Sequence, residues 1–169
     1  STFTIDKGSK QGIATGMNVI AGSGLVGIVT DVGPNYSKVR SIIDDSSNVS
    51  AMVLTTKDNF NVSGSLMNMN KDKVLPFSEL RDENDKVQQG DPVVTSYVSD
   101  QYQQGLLIGY IYSVEDNANN LTKSGYITPV VDFQHLQDVL VITEIKNTGK
   151  EDISSSKTSS TESENSTQN

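Results

Sequence analysis

The sequence of 169 residues lacks cysteine and tryptophan and contains a single histidine, His135. Without cysteine the chain forms no disulfide and offers no thiolate nucleophile or thiolate metal ligand. One histidine beside scattered carboxylates is a poor ligand set for a metal ion, so we expect no metal and no cofactor. The absence of tryptophan also removes the aromatic platform on which many carbohydrate sites rely.

Long apolar runs and clusters of positive charge are missing as well. No stretch approaches the roughly 20 apolar residues that cross a bilayer, and no signal peptide is visible. The chain opens directly in strand-like sequence at Ser1–Phe3, so we expect it to be a piece of a longer protein. The net charge is −8, which disfavours nucleic acid and anionic lipid as direct partners.

The last part of the sequence differs in composition from the rest. Residues 147–169 contain eleven Ser or Thr, one Ile and no aromatic residue. Such a segment buries too little apolar surface to offset the entropy of ordering it. We predict a disordered tail here, and a phosphorylated or glycosylated signalling tail is the alternative.

Residues 1–146 are dominated by short apolar, β-branched runs between turns rich in Gly, Asn and Asp. Strands that are this short and evenly spaced favour a barrel or sandwich over βαβ units. The residues 78–85 and 133–137 are each compatible with one helical turn, although 78–86 favours an exposed loop. The predicted strands are 2–5, 17–21, 25–32, 38–43, 49–54, 60–66, 72–76, 92–95, 106–114, 125–131 and 138–145.

A literal G-x-G-x-x-G motif occurs at Gly22, Gly24 and Gly27. The dinucleotide fingerprint requires a helix after these glycines, with its N-terminus facing the pyrophosphate. Here Gly27 precedes a β-branched run that ends at Gly33-Pro34, which leaves no room for a useful helix. The motif therefore predicts a hairpin turn between two strands rather than a nucleotide site.

A serine-protease triad on paired barrels would need His, Asp and Ser in that chain order. Only serines of the predicted tail, from Ser154 onward, follow His135. The order is therefore impossible within the predicted folded part, and we expect no enzymatic activity. His135 is predicted to be a surface residue in a turn, and the pair Asp44-Asp45 favours a turn cap over a cation site.

Five consecutive blocks resemble the extracytoplasmic β-domain of the MreC family, the bacterial rod-shape-determining proteins. Any one block is weak, but five in the family's order are specific, and they cover almost all of residues 1–146. The blocks are Thr4–Val19, Gly24–Val29 with Ser37–Arg40, Gly90–Ser96, Gly105–Ile111, and Pro129–Phe133 followed by Leu136 and Val139–Ile142.

Two departures from the family pattern fall in one loop. The family usually has Gly after the Thr-Ser pair, where this chain has Tyr97, and a side chain tolerates positive φ less well than Gly. The family also commonly has an aromatic-Pro pair where this chain has Tyr102-Gln103. We therefore expect the loop 97–105 to have its own shape.

The resemblance implies an all-β fold of two small six-stranded barrels, of Greek-key type and loosely chymotrypsin-like. We expect residues 1–17 with 97–146 in one barrel and residues 18–96 in the other. Residues 2–6 are predicted to join the C-terminal strands 106–145, because the last strands need an edge partner.

The resemblance further implies a non-enzymatic scaffold of the cell-wall elongation machinery that maintains cell shape. The implied partners are MreB, MreD, RodA and class B penicillin-binding proteins. Homodimerisation and higher self-association are also implied. The implied location is the extracytoplasmic face of the cell membrane, with attachment only through a transmembrane helix N-terminal to this sequence. A cell-surface carbohydrate-binding or hydrolase β-barrel domain is the alternative.

Strand alternation predicts an apolar core, and the loop after Gly90–Ser96 is a candidate contact site. Its tyrosines are natural anchors for a protein partner, and the alternative is that they only pack the loop. The candidate contact residues are Thr95, Ser96, Tyr97, Tyr102 and Gly105. The predicted core consists of Val26, Ile28, Val39, Ile43, Val49, Ala51, Val53, Val94, Leu107, Ile111, Val130, Val139 and Val141.

Overall fold

The structure is a computed structural model that describes residues 1–146. The predicted disordered tail, 147–169, lies outside the described residues. Within the described part, a 3₁₀ turn spans Ser9–Gln11 and one α-helix, α1, spans Leu66–Asp72. The strands are β1 (Thr2–Ile5), β2 (Asn18–Ala21), β3 (Gly24–Val32), β4 (Ser37–Ser41), β5 (Asn48–Val53), β6 (Asn59–Ser63), β7 (Leu75–Leu80), β8 (Pro92–Thr95), β9 (Leu107–Asp116), β10 (Lys123–Pro129) and β11 (Leu140–Ile142).

Six of these strands close into an antiparallel barrel. The order around it is β5, β6, β7, β10, β9 and β8, and β8 pairs with β5 to complete the circle. The closing ladder aligns Ala51 with Thr95 and Val53 with Val93. Closure leaves no unpaired strand edge in this part of the molecule.

The other five strands form an open sheet in the order β11, β2, β3, β4, β1. We call it the open sheet. It joins the barrel through a single parallel bridge between Gly24 of β3 and Leu107 of β9. The predicted all-β class and a closed six-stranded barrel are confirmed, whereas the open sheet stands in place of the second predicted barrel.

Each unit encloses its own apolar core. The barrel core is centred on residues such as Leu75 and Ile108, and in it Phe60 and Phe77 meet edge to face at 5.1 Å. The core of the open sheet is built around Val19 and Val39, both fully buried. Because each core is small, short strands are sufficient to enclose it, and the sequence accordingly has many short apolar runs and no long one.

β3 lies between the two cores, which accounts for its nearly continuous apolar sequence. Leu25 and Ile28 belong to the barrel core, whereas Val26 and Val29 belong to the core of the open sheet. Strict alternation would place Val26 and Ile28 on one face. A register shift against β2 breaks that alternation, so the two residues contact different cores.

The predicted strand 72–76 is wrong at its start, because the preceding residues form α1. Ser65 caps this helix by accepting a hydrogen bond from the Asn68 N–H (3.2 Å), and Lys73 ends it with φ of 55°. The next strand, β7, continues to Leu80 and therefore replaces the first three residues of the predicted loop 78–86. Leu75, Phe77 and Leu80 are all buried, which explains the extension.

The predicted pairing of residues 2–6 with the C-terminal strands is wrong. β1 pairs with β4, with Phe3 opposite Val39 and Ile5 opposite Ser37. Phe3 and Ile5 pack on the core of the open sheet, and that contact outweighs the expected need of the last strands for an edge partner. β2, β3 and β4, which lie in the predicted barrel 18–96, thus share a core with β1 and residues 131–141.

Most of the predicted core is buried, with three kinds of exception. Val130 is 39% exposed, because it follows the end of β10, and its inward prediction is wrong. Leu107 is half-buried and its neighbour Ile108 fills the barrel instead, next to a register shift between β8 and β9. Val139 and Val141 are half-buried against the core of the open sheet.

Val139 and Leu140 provide a matched test of this core assignment. Val139 packs on the core of the open sheet, whereas Leu140 is 66% exposed. We expect Val139→Ala to lower the free energy of unfolding by about 1 kcal/mol, since two partly buried methyl groups are lost. Leu140→Ala should change it by less than about 0.5 kcal/mol. Urea denaturation checks both, and equal losses would contradict the assignment.

Candidate protein-contact site

The loop between β8 and β9, residues 96–106, is the candidate contact site, and we call it the contact loop. It joins two neighbouring antiparallel strands of the closed barrel, so both of its ends are fixed by the β8–β9 ladder. Thr95, the last residue of β8, is fully buried. Its Oγ1 donates to the Gln103 carbonyl (2.5 Å) and accepts from the Leu106 N–H (2.8 Å).

Ser96 is fully buried too, and it holds the loop to a neighbouring strand. Its hydroxyl donates to the side-chain oxygen of Asn59 and accepts from the Val98 N–H (3.2 Å). Its own N–H donates to the Ser50 carbonyl (2.9 Å). Thr95 and Ser96 therefore shape the contact loop from inside and offer no surface to a partner.

Tyr102 is 1% exposed and belongs to the barrel core, so its prediction as a surface anchor is wrong. Burial of the phenol raises the pKa of Tyr102 to about 12, against smaller opposite effects of the Arg40 charge and a hydrogen bond with Ser47. Tyr102 therefore packs the loop, which was the alternative to its role as an anchor for a protein partner.

Two polar residues hold the far side of the contact loop. Asn18 of β2 is 1% exposed; its side-chain oxygen accepts from the Gln103 N–H (2.8 Å) and its amide donates to the Gln101 carbonyl (3.0 Å). Ser99 is 5% exposed and accepts from the Tyr102 N–H (3.0 Å). Asn18 thereby ties the barrel loop to the open sheet.

Sequence reasoning missed these two anchors. Asn18 stands at the start of a strand with no local pattern that marks it, because its partners in the contact loop, Gln101 and Gln103, lie more than 80 residues away. Ser99 had a local signal: Ser, Asn and Asp side chains commonly accept from the backbone two or three residues on.

Tyr97 and Val98 are the exposed tip of the contact loop, at 57% and 56% exposure. Tyr97 is not among the residues with positive φ, so the loop accommodates a side chain at the position where Gly was expected. Gly105 is exposed and has φ of 82°, which favours glycine at the turn back into β9. Of the five predicted contact residues, the structure exposes only Tyr97 and Gly105.

The side chains that the sequence offered for catalysis or metal binding are the single histidine and the carboxylates. His135 lies in a turn and is exposed as predicted; its Nδ1 is 2.9 Å from the Asp132 carboxylate. Within residues 1–146, no group of three or more His, Cys, Asp or Glu side chains is arranged to hold a metal ion. None of the helices described in this range has the length and apolar character needed to span a bilayer.

These features define a class of protein: a β-domain of a closed barrel and an open sheet that presents a well-anchored contact loop. The comparison with known families then identifies the family. The chain belongs to the MreC family, since the model for rod shape-determining protein MreC, barrel core, matches residues 1–143. This family is one of structural, cell shape-determining proteins.

A curated relative is the cell shape-determining protein MreC of Listeria monocytogenes. It is 32% identical over 151 residues, which cover 88% of this chain and 50% of the relative. The chain therefore spans about half the length of this relative.

Solved structures share the fold. The structure of MreC from the same Listeria species has a TM-score of 0.74 at 31% identity, covering 83% of this chain and 66% of that one. A complex between penicillin-binding protein PBP2 and MreC from Helicobacter pylori has a TM-score of 0.57 at 16% identity, covering 73% and 74%. At that identity the second likeness shows the fold alone.

Proposed function

We propose that this domain is a non-enzymatic scaffold of the cell-wall elongation machinery, acting on the extracytoplasmic face of the membrane. Its partners are peptidoglycan-synthesis proteins, foremost a class B penicillin-binding protein, together with MreD, RodA and, through the rest of the protein, MreB. The full-length protein also self-associates. Membership of a shape-determining family and the Helicobacter complex of a relative support this proposal.

The observation that carries the proposal is the exposed pair Tyr97-Val98 on a loop that buried polar side chains anchor from inside. The side chains of Thr95, Ser96 and Asn18 form hydrogen bonds that hold the loop in place. Two large apolar side chains are therefore held in solvent at little further cost in loop entropy when a partner binds. Tyr in such a position gives a large contact area with a polar tip.

Replacing Tyr97 with alanine tests this surface without disturbing the fold. We expect Tyr97→Ala to leave the free energy of unfolding within about 0.5 kcal/mol of wild type, because the side chain is 57% exposed. Binding to the class B penicillin-binding protein of the same cell should weaken by tenfold or more, the size expected of an anchor residue. Calorimetric titration of the two purified proteins gives the measurement.

Exposed Tyr36 on another loop is the matched control, with 44% exposure. Tyr36→Ala should bind the penicillin-binding protein as wild type does. Unchanged binding by the Tyr97 variant would remove the contact loop from the function. Normal cell shape after deletion of the entire domain from the chromosomal gene would overturn the scaffold proposal itself.

A further inference from the structure

The open sheet has two outer strands, β1 and β11, and both border the same cleft. Within residues 1–146, β1 has β4 as its one strand neighbour and β11 has β2. The cleft between them has a volume of about 730 Å³. It is bounded by β1 with Asp6 and Lys7 on one side and by residues 133–141 on the other. We call it the edge cleft.

The hydrogen-bonding groups of β1 alternate between β4 and the edge cleft. The Ser41 N–H donates to the Ser1 carbonyl at 3.0 Å, which makes this a hydrogen-bonded pair. The register of the ladder then gives Phe3 and Ile5 the same role. The N–H and C=O of Thr2 and Thr4 consequently point away from β4, toward the unpaired side of the sheet.

The floor of the edge cleft is apolar. Six half-buried side chains line it while packing on the core of the open sheet. They are Phe3, Ile5, Phe133, Leu136, Val139 and Val141. A chain placed along β1 would gain backbone hydrogen bonds from Thr2 and Thr4. It would cover these side chains as well, which is the combination that strand addition uses.

We propose that the edge cleft binds one extended segment of a partner protein, which adds to β1 as a further strand of the open sheet. The segment has alternating apolar side chains that face the floor and at least one basic residue. The charged side chains that line the cleft are Asp6, Lys7 and Asp138, a net negative set on a chain of net charge −8. The ammonium group of Ser1, which also lines the cleft, is paired with the Asp44 carboxylate. This charge favours a cationic segment and disfavours an acidic one.

A second copy of this chain does not fit as the occupant. Edge-to-edge pairing of two folded domains requires both β1 edges to approach along an open face. Here the wall formed by residues 133–141 stands opposite β1, so that two such domains obstruct each other. A single extended chain has no such wall of its own.

This inference rests on the proposed scaffold function and names how one of its partners is held. The probe is a capped synthetic peptide with the sequence Lys-Val-Thr-Val-Thr-Val-Lys, added to the 169-residue chain. Its binding is followed by calorimetry, and its position by amide hydrogen exchange. We expect saturable binding and exchange at the Thr2 and Thr4 amides that slows at least tenfold, since these groups become hydrogen-bonded.

Two variants at Thr4 distinguish backbone hydrogen bonding from non-specific apolar binding of the peptide. Thr4→Pro removes the free N–H and is tolerated at an edge because that N–H bonds nothing in the sheet. Thr4→Val keeps it. We expect at least tenfold weaker peptide binding for Thr4→Pro and wild-type binding for Thr4→Val. Equal binding by the two variants, or unchanged exchange at Thr2 and Thr4 in the wild-type chain, overturns the proposal.

A peptide with Glu in place of both Lys tests the charge assignment and should bind at least fivefold more weakly. Binding equal to that of the Lys peptide overturns the basic assignment. Sedimentation of the wild-type chain should show no dimer that depends on β1. A wild-type dimer that is lost in Thr4→Pro would overturn the choice of occupant. Because Tyr97→Ala leaves the edge cleft intact, it should bind the peptide normally, so failure of the scaffold test and failure of this one are distinguishable.

Discussion

Gly27→Ala is expected to destabilise the protein by about 3 kcal/mol or more, at the upper end of overpacking changes. A Cβ added to Gly27 would lie 2.1 Å from the carbonyl oxygen of Arg40 and 2.9 Å from the Cα of Ser41. These are backbone atoms of β4, so no change of side-chain rotamer relieves the clash. The β3–β4 ladder would have to separate at the strand that divides the two cores.

Urea denaturation followed by far-UV circular dichroism measures the effect. Ser23→Ala in the same glycine-rich segment is the control, because Ser23 is exposed and its loss should cost less than about 0.5 kcal/mol. A Gly27 variant within about 1 kcal/mol of wild type would contradict the close approach of β3 and β4.

The three glycines of the G-x-G-x-x-G motif therefore have conformational and packing roles in this fold. Gly22 has φ of 58° in the turn between β2 and β3. A Cβ on Gly24 would meet the methyl groups of Val130 and Val131 at 2.5 Å, and Gly27 faces the β4 backbone. A strand follows the motif, as its β-branched sequence predicts, so the context of the dinucleotide fingerprint is absent.

Local sequence signals were sufficient for most strands. β1 and β8 have the predicted bounds, and β3 differs by one residue, because turns rich in Gly, Asn and Asp delimit each apolar run. The helix α1 was missed because its sequence, Leu66–Asp72, has only one capping residue and no amphipathic repeat over two turns. A seven-residue helix depends on its contacts rather than on its own propensity.

Long-range choices could not be made from the sequence. Whether β1 pairs with β4 or with a C-terminal strand depends on which apolar side chains meet across more than 30 residues. The burial of Tyr102 also depends on long-range contacts, because its side chain packs in the barrel core. The sequence of a loop does not indicate which of its side chains contact the barrel. For the contact loop, sequence reasoning located the segment and Tyr97, but the structure was needed to separate its exposed tip from its buried anchors.

The second large effect is expected at a buried ion pair at one end of the barrel. Asp82 follows β7 and Lys123 begins β10, and their Oδ2 and Nζ atoms are 3.0 Å apart. Their side chains are 2% and 13% exposed. The Asp82 carboxylate also accepts from the N–H groups of Lys86 (2.9 Å) and Val87 (3.2 Å), and so it fixes the turn after β7.

The pKa of Asp82 lies below its usual value of 3.8 as a result of opposing effects. Burial, the largest effect, raises the pKa, but hydrogen bonds from Lys123 and from the N–H groups of Lys86 and Val87 together outweigh it. Because the folded-state pKa is the lower one, the carboxylate stabilises the fold above the unfolded-state pKa. That stabilisation is lost as the pH falls through the folded-state value.

Lys123→Met should therefore lower the free energy of unfolding at pH 7 by about 3 kcal/mol or more, because it leaves Asp82 buried without its cation. Lys123 also contacts the exposed Asp85, whose pairing contributes little. Asp82→Asn combined with Lys123→Met should lose less than Lys123→Met alone, since no buried charge remains. Urea denaturation of the two single variants, the double variant and wild type gives the coupling between the two residues.

The acid side of the stability curve checks the same pair independently. Wild-type stability should fall as the pH drops from about 5 toward 2, and part of that fall belongs to Asp82. In Asp82→Asn that part is absent, so the slope against pH should be shallower, although the variant is less stable at pH 7. An unchanged slope would show that the Asp82 carboxylate has the same proton affinity in the folded and unfolded chains. The turn after β7 would then be held by its backbone contacts rather than by the ion pair with Lys123.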